Sequence, residues 1–211
     1  MDQPATLVCF AVKEEAKFFN TTSTRVLITG MGQRNATESL HRLLASARPE
    51  LVLTCGFAGG LNPKLPLGAV VFDEDAGAGL TAALLGSGAV AVKFHCATHV
   101  ATTVAEKQAL WQSTGADAVE MESSPMRAIC KERGIPSATI RVISDTAHED
   151  LPLDFNALMT RDDRINYAKL AWTILASPRT IPRLIKFREQ TLLAARKLAE
   201  VLHQSLAHRR R

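Results

Sequence analysis

The sequence has no apolar run long enough to span a bilayer, and we therefore expect no integral membrane segment. Its amino terminus also lacks the features of a secretory signal. The first residues, MDQPATLVCFAV, contain neither a basic region nor a small-residue cleavage site. A cytoplasmic location is the expectation that follows from these two absences.

Cysteine is scarce and scattered. The chain has four, far apart and all in apolar contexts: Cys9, Cys55, Cys96 and Cys130. This spacing favours neither a disulfide framework nor a zinc site, and buried thiols are the simpler interpretation. We expect no metal and no cofactor. Since the net charge is only +4 and concentrated near the carboxyl terminus, nucleic acid is not an expected partner either.

What the sequence does contain is the composition of an ordinary globular chain. Of its 211 residues, 46% are hydrophobic and 22% are charged, which predicts one domain over residues 1–211. Predicted strands alternate with predicted helices, so we expect an α/β fold, a three-layer α/β/α sandwich with a central mixed sheet. The core should cover about residues 5–160, and about residues 161–211 should form a helical carboxyl-terminal extension.

A strand, a helix and a second strand are predicted in the middle of the second half of the chain. The apolar run 116–121 predicts a short buried strand, after which Ser123 or Ser124 can cap a helix. Gly134 ends that helix, and the β-branched run 137–143 predicts the next strand. The two strands are expected to form a parallel pair joined by a crossover.

Four polar residues follow these two strands. Glu120 and Glu122 end the first strand, and Ser144 and Asp145 end the second. Because the carboxyl ends of parallel strands share one edge of a sheet, all four can face a single crevice. Spacing alone leaves an alternative open, in which Glu120 is solvated and Asp145 only caps the following turn.

The motifs around these residues resemble those of a known family. Val119-Glu120-Met121-Glu122, followed about twenty residues later by Arg141-Val142-Ile143-Ser144-Asp145, is similar to the paired V-E-M-E and R-x-I-S-D signatures of the nucleoside phosphorylase and nucleosidase superfamily. The well-known branch that it resembles most is 5′-methylthioadenosine/S-adenosylhomocysteine nucleosidase. The resemblance implies a small-molecule purine nucleoside as substrate. It also implies a homo-oligomer, such as a homodimer, because family members build their sites near subunit contacts.

The resemblance extends to a glutamate after the first predicted strand. That strand, over residues 5–12, runs directly into Lys13-Glu14-Glu15, and nucleosidases carry a run of glutamates at this point. The family pattern implies that Glu15 activates water. The alternative is an acidic first turn of a helix, which the helix dipole would favour.

Two glycine-containing segments also match the family. Gly30-Met31-Gly32 follows a predicted strand over 25–29, and the corresponding turn in the family borders the ribose, so Gly30 and Gly32 are candidate binding residues. The segment Cys55-Gly56-Phe57-Ala58-Gly59-Gly60-Leu61 resembles the T-G-x-A-G-G-L loop in which backbone amides approach the substrate. This makes Phe57, Ala58 and Gly59 candidates. Phe57 stands where relatives carry a small hydroxyl residue.

The middle of the chain departs from the family. Relatives have a long excursion with base-contacting residues, whereas this chain has only the small, glycine-rich segment 74–88 before a predicted strand over 89–95. No aromatic residue for stacking on the purine is evident, and His99 or Phe57 are the candidates to replace it. His148 stands where relatives often carry an aspartate.

The chemistry implied by the resemblance is cleavage of a purine N-glycosidic bond. Asp145 would donate a proton to the base, protonated because it is buried beside other carboxylates, and Ser144 would orient it. Glu122 would bind the ribose hydroxyls with Met121 lining the sugar pocket, Glu120 would contribute to substrate binding, and Glu15 would take a proton from water.

Water is favoured over phosphate as the nucleophile. The 56–60 segment carries no basic residue, and Glu15 would repel a dianion, so Arg34 is the one nearby cation. We therefore expect hydrolysis of a 5′-substituted purine nucleoside, with adenine as the expected base. Two alternatives stay open: phosphorolysis, and a nucleoside-binding protein that has lost turnover.

The carboxyl-terminal tail is basic and helical. A helix is predicted over about 166–176, and after a turn with Pro178 and Pro182 a long helix runs to about His208. Its predicted apolar face comprises Ile181, Leu184, Ile185, Leu192, Ala195, Leu198, Val201, Leu202 and Leu206. The basic face, which includes Arg209 to Arg211, is either simply solvated or a peripheral contact with anionic lipid. The tail also resembles the hopanoid-associated phosphorylase branch, which acts on a lipid-linked nucleoside.

Overall fold

The structure is a computed structural model that describes residues 6–21, 24–160, 162–163 and 165–208. The strands are β1 (Thr6–Phe10), β2 (Thr24–Ile28), β3 (Leu51–Gly60), β4 (Val70–Glu74), β5 (Val90–Ala91), β6 (Phe94–Cys96), β7 (Ala118–Glu120) and β8 (Ser137–Asp145). The helices are α1 (Gly32–Leu44), α2 (Thr81–Gly86), α3 (Val104–Thr114), α4 (Ser123–Glu132), α5 (Phe155–Leu158), α6 (Tyr167–Ala176) and α7 (Ile181–His208), with a 3₁₀ turn over Pro178–Thr180.

The described strands form one mixed sheet. Its main order is β2-β1-β3-β8-β4-β5, and β7 and β6 extend it beside the far end of β3. The pairs β1/β2, β1/β3 and β3/β8 are parallel, whereas β4/β8 and β3/β7 are antiparallel. The predicted α/β fold with a central mixed sheet is confirmed.

Helices cover both faces of this sheet. Along β1, Val8 and Phe10 pack in a cluster with residues of α2 and α7, whereas Leu7 and Cys9 pack with α1 and α4. This alternation follows from the period of two in a strand, and it explains why β1 is buried at every position. Burial of each such side chain contributes roughly 1.5–3 kcal/mol. The helices and sheet form the three predicted layers.

The glycine-containing segment after residue 54 is strand, which corrects the prediction of a loop there. β3 continues through Gly60, and its pairing with β8 shifts register between Ala58 and Gly59. Gly56 has a φ of 151°, and a Cβ there would lie 2.6 Å from Arg141 Nη1 and overlap the Glu15 carboxylate. Because Gly56 has no side chain, Glu15 and Arg141 can approach each other closely beside this strand.

β7 and β8 do not pair, so the predicted parallel pair is wrong. β7 lies antiparallel to the end of β3, with Gly59 opposite Val119, and parallel to β6. β8 lies instead on the long central part of β3, in parallel register. The long strand β3 offers more hydrogen-bond partners than the three-residue β7, and it separates the two predicted neighbours.

A carboxylate, and not a serine side chain, caps α4. The residue at the N-cap is Glu122, whose own side chain makes no capping bond, and Ser123 is already helical. Glu120 accepts the backbone N–H groups of Glu122 and Ser123 at 2.9 and 2.7 Å, together with the Ser123 hydroxyl at 2.7 Å. A negative charge at a helix amino terminus is favourable, so Glu120 provides the capping contacts that a serine was predicted to provide.

The middle of the chain is more ordered than predicted. The segment 74–88 contains α2, whose first N–H groups are accepted by the Glu74 carboxylate at 2.8 Å from Leu80 and 2.7 Å from Thr81. The single strand predicted over 89–95 is two short strands, β5 and β6.

The long carboxyl-terminal helix belongs partly to the core. On α7, Ala195, Leu198, Val201, Leu202 and Leu206 are buried as predicted, whereas Ile181 and Ile185 are exposed. The predicted basic residues 209–211 lie outside the described residues, as does residue 5 of the first predicted strand. Within the described ranges, no helix has the length and apolar character needed to cross a membrane.

Candidate active site

A buried arginine lies at the centre of the candidate site. Arg141 is on β8 and only 2% exposed, and its Nη2 lies 2.7 Å from Glu120 Oε2 and 3.2 Å from Glu122 Oε2. A guanidinium is buried only when carboxylates compensate for its lost hydration. Sequence reasoning quoted Arg141 only as part of a motif. The missed signal was a charged residue in the predicted strand 137–143, which carries no other charge.

One nitrogen of this arginine has no protein partner. Arg141 Nε is buried and, within the described chain, makes no hydrogen bond, and Nη1 reaches the Phe57 carbonyl only at 3.5 Å. Buried donors are nearly always paired, so an orphan donor in a polar cluster marks a position for water or a ligand oxygen.

Glu15 approaches β3 from the side of β1, whereas Arg141 approaches it from β8. The turn after β1 folds back so that Glu15 Oε2 accepts the N–H groups of Ala11 at 2.8 Å and Val12 at 3.1 Å. Its Oε1 accepts the N–H of Phe57 at 2.8 Å. This turn is not helical, so the interpretation as an acidic first helical turn is wrong, and Glu14 is exposed.

The electrostatics of the cluster keep Glu15 near its titration point at neutral pH. Burial raises the pKa of Glu15 to about 7, Arg141 opposes the rise, and the charge of Glu122 adds to it. Burial likewise raises the pKa of Glu122, against the opposing effect of Arg141. Burial also acts on Glu120, but Arg141 and the donors at the start of α4 hold the pKa of Glu120 below its ordinary value. Three carboxylates around one arginine therefore differ in their affinity for protons.

The glycine turn before α1 reaches this cluster. The Gly32 N–H donates to Glu122 Oε1 at 2.9 Å, and both Gly30 and Gly32 have positive φ values, 90° and 81°. The turn thus lies where the sequence placed it, beside the carboxylate expected to bind a sugar. Met121 is half-buried between the two glutamates.

A second charged pair lies at the end of β8. Asp145 Oδ2 is 2.6 Å from Lys107 Nζ, and the Ser144 hydroxyl donates to Asp145 Oδ1 at 2.7 Å. Lys107 has no exposed surface, and its ammonium also donates to the carbonyls of Thr146 and Glu149, both at 2.8 Å. Asp145 was expected beside other carboxylates, and this is corrected: its close charged partner is an ammonium.

The sequence did not indicate that Lys107 is buried, because α3 has no marked apolar face. It is the buried residue of that helix, among neighbours that are mostly exposed. The available signal was weak. A lysine a few residues after the helix start can be buried only if a carboxylate and carbonyls receive it, and those partners are about 40 residues distant in sequence.

Gly59 keeps the Asp145 region open. A Cβ at Gly59 would lie 3.1 Å from Val119 Cγ1 and 3.3 Å from Asp145 Oδ2. The neighbouring Ala58 is buried, and its carbonyl accepts from Ser144 Oγ at 3.4 Å. The Phe57 ring packs against the core cluster that includes α7, so it is not free to replace a stacking aromatic.

Other sequence candidates lie away from the cluster. Arg34 is exposed and forms an ion pair with Asp162 at 2.8 Å. His99 is exposed, with Nδ1 2.8 Å from the Thr98 hydroxyl, and His148 is also exposed. In the described chain, no group of three or more His, Cys, Asp or Glu side chains is arranged to hold a metal ion.

A cavity of about 710 Å³ lies beside the start of α4. It adjoins the arginine cluster through Ser123, whose hydroxyl binds Glu120, and through Cys96. Its far wall contains Arg127, which forms ion pairs with Asp73 and with Asp75.

The chain is similar in sequence to known proteins. The model of the phosphorylase superfamily matches residues 86–176. A 5′-methylthioadenosine/S-adenosylhomocysteine nucleosidase of a Marinomonas species is 29% identical in an alignment 168 residues long that covers 62% of this chain and 71% of the relative.

Solved structures share the fold. A nucleosidase of the same name from Helicobacter pylori superimposes with a TM-score of 0.69 at 15% identity, covering 99% of this chain and 100% of that one. Futalosine hydrolase of Helicobacter pylori gives 0.68 at 15% identity, with 96% and 97% covered. The Campylobacter jejuni nucleosidase gives 0.68 at 16% identity, with 96% and 98% covered.

Proposed function

We propose that this chain, which matches the model of the phosphorylase superfamily over residues 86–176, hydrolyses the N-glycosidic bond of a 5′-substituted purine nucleoside and releases the free base. Nucleosidase chemistry as such is supported by the named relatives. Their names also indicate the substrate classes to test, which are methylthioadenosine, S-adenosylhomocysteine and futalosine.

One observation carries the proposal: Glu15, with a pKa of about 7, lies across β3 from an arginine with an unpaired buried donor. A general base is most effective when its pKa is near the working pH. Arg141 Nε can hold the oxygen of a water molecule while Glu15 accepts its proton. Three backbone N–H groups fix Glu15 in place for this step.

The sugar is assigned to Glu122 and the glycine turn. One Glu122 oxygen binds Gly32 and the other binds Arg141, and a carboxylate has further lone pairs for ribose hydroxyls. Glu120 has its oxygens engaged by Arg141, Ser123 and the amino terminus of α4. We assign Glu120 to holding Arg141 rather than to direct substrate contact.

The base is assigned to Asp145. Arg141 and Asp145 are four residues apart on β8, hence about 13 Å along a strand, which leaves room between their side chains for a nucleoside. As the glycosidic bond breaks, its electron pair goes to the purine, and a proton must follow. Lys107 and Asp145 together hold that proton: the ammonium supplies it to the carboxylate as the carboxylate passes it to the base.

Water is favoured over phosphate. A phosphate dianion needs converging cations, whereas Arg141 is already shared by two carboxylates and Glu15 lies beside it. Arg34, the cation that the sequence offered, is exposed and paired with Asp162. Phosphorolysis, including that of a lipid-linked nucleoside, is the second candidate. Assembly into a homo-oligomer remains a prediction from the family resemblance.

The test is product analysis in phosphate-free buffer. Methylthioadenosine, S-adenosylhomocysteine, futalosine, adenosine and inosine are each incubated with the full chain, and base and sugar are quantified by chromatography. We expect free base and free sugar in equal amounts. Strict phosphate dependence with sugar 1-phosphate would assign phosphorolysis instead, and binding without turnover of any of them would assign a silent nucleoside-binding protein.

A further inference from the structure

Helix α6 and the start of α7 carry an apolar surface that is uncovered in the described chain. We call it the docking surface, and it comprises Tyr167, Trp172, Leu175, Ile181 and Ile185, with exposed fractions of 76%, 73%, 73%, 41% and 55%. We propose that this docking surface binds peripherally to an anionic lipid bilayer. The proposal goes beyond the nucleosidase function and does not depend on it.

The composition of α6 is unusual for a helix in water. Eight of its ten residues, YAKLAWTILA, are apolar or aromatic, and none of the ten is buried. A helix that is hydrophobic on all sides normally lies inside a protein or a membrane. Trp172 and Leu175 are neighbours on its surface because they are three residues apart. Large exposed apolar surface of this kind marks an interaction site.

The charges around the docking surface select the partner. From Ile165 to Arg188 the sequence has no Asp or Glu and five cations, which are Lys169, Arg179, Arg183, Lys186 and Arg188. An interface between two copies of this surface would bring like charges together. An anionic lipid surface attracts each of them, and Trp and Tyr prefer the boundary between headgroups and acyl chains.

The dimensions fit a helix that lies on a membrane. Ten helical residues extend about 15 Å, which is half of the roughly 30 Å needed to span the hydrocarbon layer. The helix can therefore insert its apolar side at the interface while its cations remain at headgroup level. The Pro178–Thr180 turn joins α6 to α7, so Arg179 lies between the two apolar helix segments.

The rest of the protein holds the α7 part of the docking surface in place. The carboxyl-terminal half of α7 is in the core, and near its start the Phe187 ring contacts Phe155 with centroids 5.7 Å apart. Arg183 donates to the Leu151 carbonyl at 3.2 Å, and Lys186 pairs with Glu149 at 2.8 Å. These two cations are partly engaged, which leaves Lys169, Arg179 and Arg188 as the main lipid contacts.

Vesicle binding tests the proposal directly. The full chain is sedimented with vesicles of phosphatidylcholine alone or with about 30% phosphatidylglycerol, at low and high salt. We expect binding that requires phosphatidylglycerol and weakens with salt. In a Trp111→Phe background, Trp172 is the remaining tryptophan, and its emission should shift to shorter wavelength on binding.

Matched variants distinguish binding through the docking surface from nonspecific adsorption to vesicles. Trp172→Ser and Arg179→Glu should each lower partitioning about tenfold. The controls are Leu85→Ser on α2, a residue 52% exposed, and Lys64→Glu, also exposed, and both should bind like the parent. Circular dichroism confirms that each variant is folded.

Three results would overturn the proposal. The first is absence of binding to the phosphatidylglycerol vesicles, and the second is equal loss of binding in the control variants. The third is self-association of the parent, measured by analytical ultracentrifugation, that Trp172→Ser abolishes while vesicles have no effect. That last outcome would make the surface a contact between copies of the chain.

Discussion

Lys107 Nζ lies 2.6 Å from Asp145 Oδ2 in a place where the lysine has no exposed surface. The same ammonium binds two carbonyls of the loop that follows Asp145. One side chain from α3 therefore fixes both the proposed proton donor and the start of its loop. Burying an ammonium is costly unless all three of its donors are used, as they are here.

Lys107 should supply the proton that Asp145 passes to the base. In Lys107→Gln the amide can still reach a carbonyl, but the positive charge is lost, so we expect kcat for base release to fall about 10²-fold with a smaller change in KM. Lys131→Gln, at an exposed position of α4, is the control. A Lys107→Gln enzyme with parental kcat would contradict the assignment.

Asp145→Asn should abolish base release, and it should also lower thermal stability because the buried Lys107 ammonium loses its ion-pair partner. The amide keeps the shape and can still accept from Ser144, but it cannot transfer a proton, and losing a general acid costs roughly 10²- to 10⁴-fold. Single-turnover release of base from methylthioadenosine measures the effect. Thermal unfolding checks the fold. Base release at the parent rate would remove Asp145 from the mechanism.

Activity should rise with pH through the pKa of Glu15. Below about pH 7 the carboxyl is protonated and cannot accept a proton from water, so kcat should fall about tenfold for each pH unit below that value. Glu15→Gln should lose activity about 10²- to 10⁴-fold at every pH. If kcat of the parent enzyme does not change between about pH 5 and about pH 7, another group is the base.

The same shift affects stability, with the opposite sign. The folded pKa of Glu15, about 7, exceeds the ordinary value of 4.5, so the folded state binds more protons between these values. The free energy of unfolding should therefore decrease as pH rises from 4.5 to 7, by up to about 3 kcal/mol at 1.36 kcal/mol per pKa unit. Denaturant unfolding at several pH values measures it. A contribution that grows over this range would contradict the raised pKa.

Much of the fold was predictable because local signals agreed with the global arrangement. The strand β1 and the carboxyl-terminal end of α4 follow from an apolar run and from Gly134, and these effects act within a few residues. The partner of β7 was not predictable. A three-residue strand has too few hydrogen bonds to select its neighbour, and the long β3 decided the pairing.

Site residues that belong to a recognisable motif could be predicted. Residues whose role depends on ion-pair partners far away in the sequence could not. Glu15, Glu122 and the Gly32 turn came from motifs, and the structure brings them together. Arg141 and Lys107 depend on carboxylates supplied by other elements. The tail shows the same limit: Ser205 and Leu206 are buried, so deleting residues 205–211 should cost packing that a basic tail did not suggest.

Gly56 should be the least replaceable glycine of the cluster. In Gly56→Ala the new Cβ would overlap the Glu15 carboxylate and lie 2.6 Å from Arg141 Nη1, and neither group can move without losing its buried partners. We expect destabilisation of about 1–3 kcal/mol and loss of base release, because strain in a packed site is not easily relaxed. Gly86→Ala is the matched control: its Cβ meets open space at the end of α2, and it should leave activity unchanged and stability equal or up to about 1 kcal/mol higher. Denaturant midpoints and base release are measured for both variants. If Gly56→Ala matched Gly86→Ala in both measurements, the close approach of Glu15 and Arg141 across β3 would be wrong, and with it the placement of the water between them.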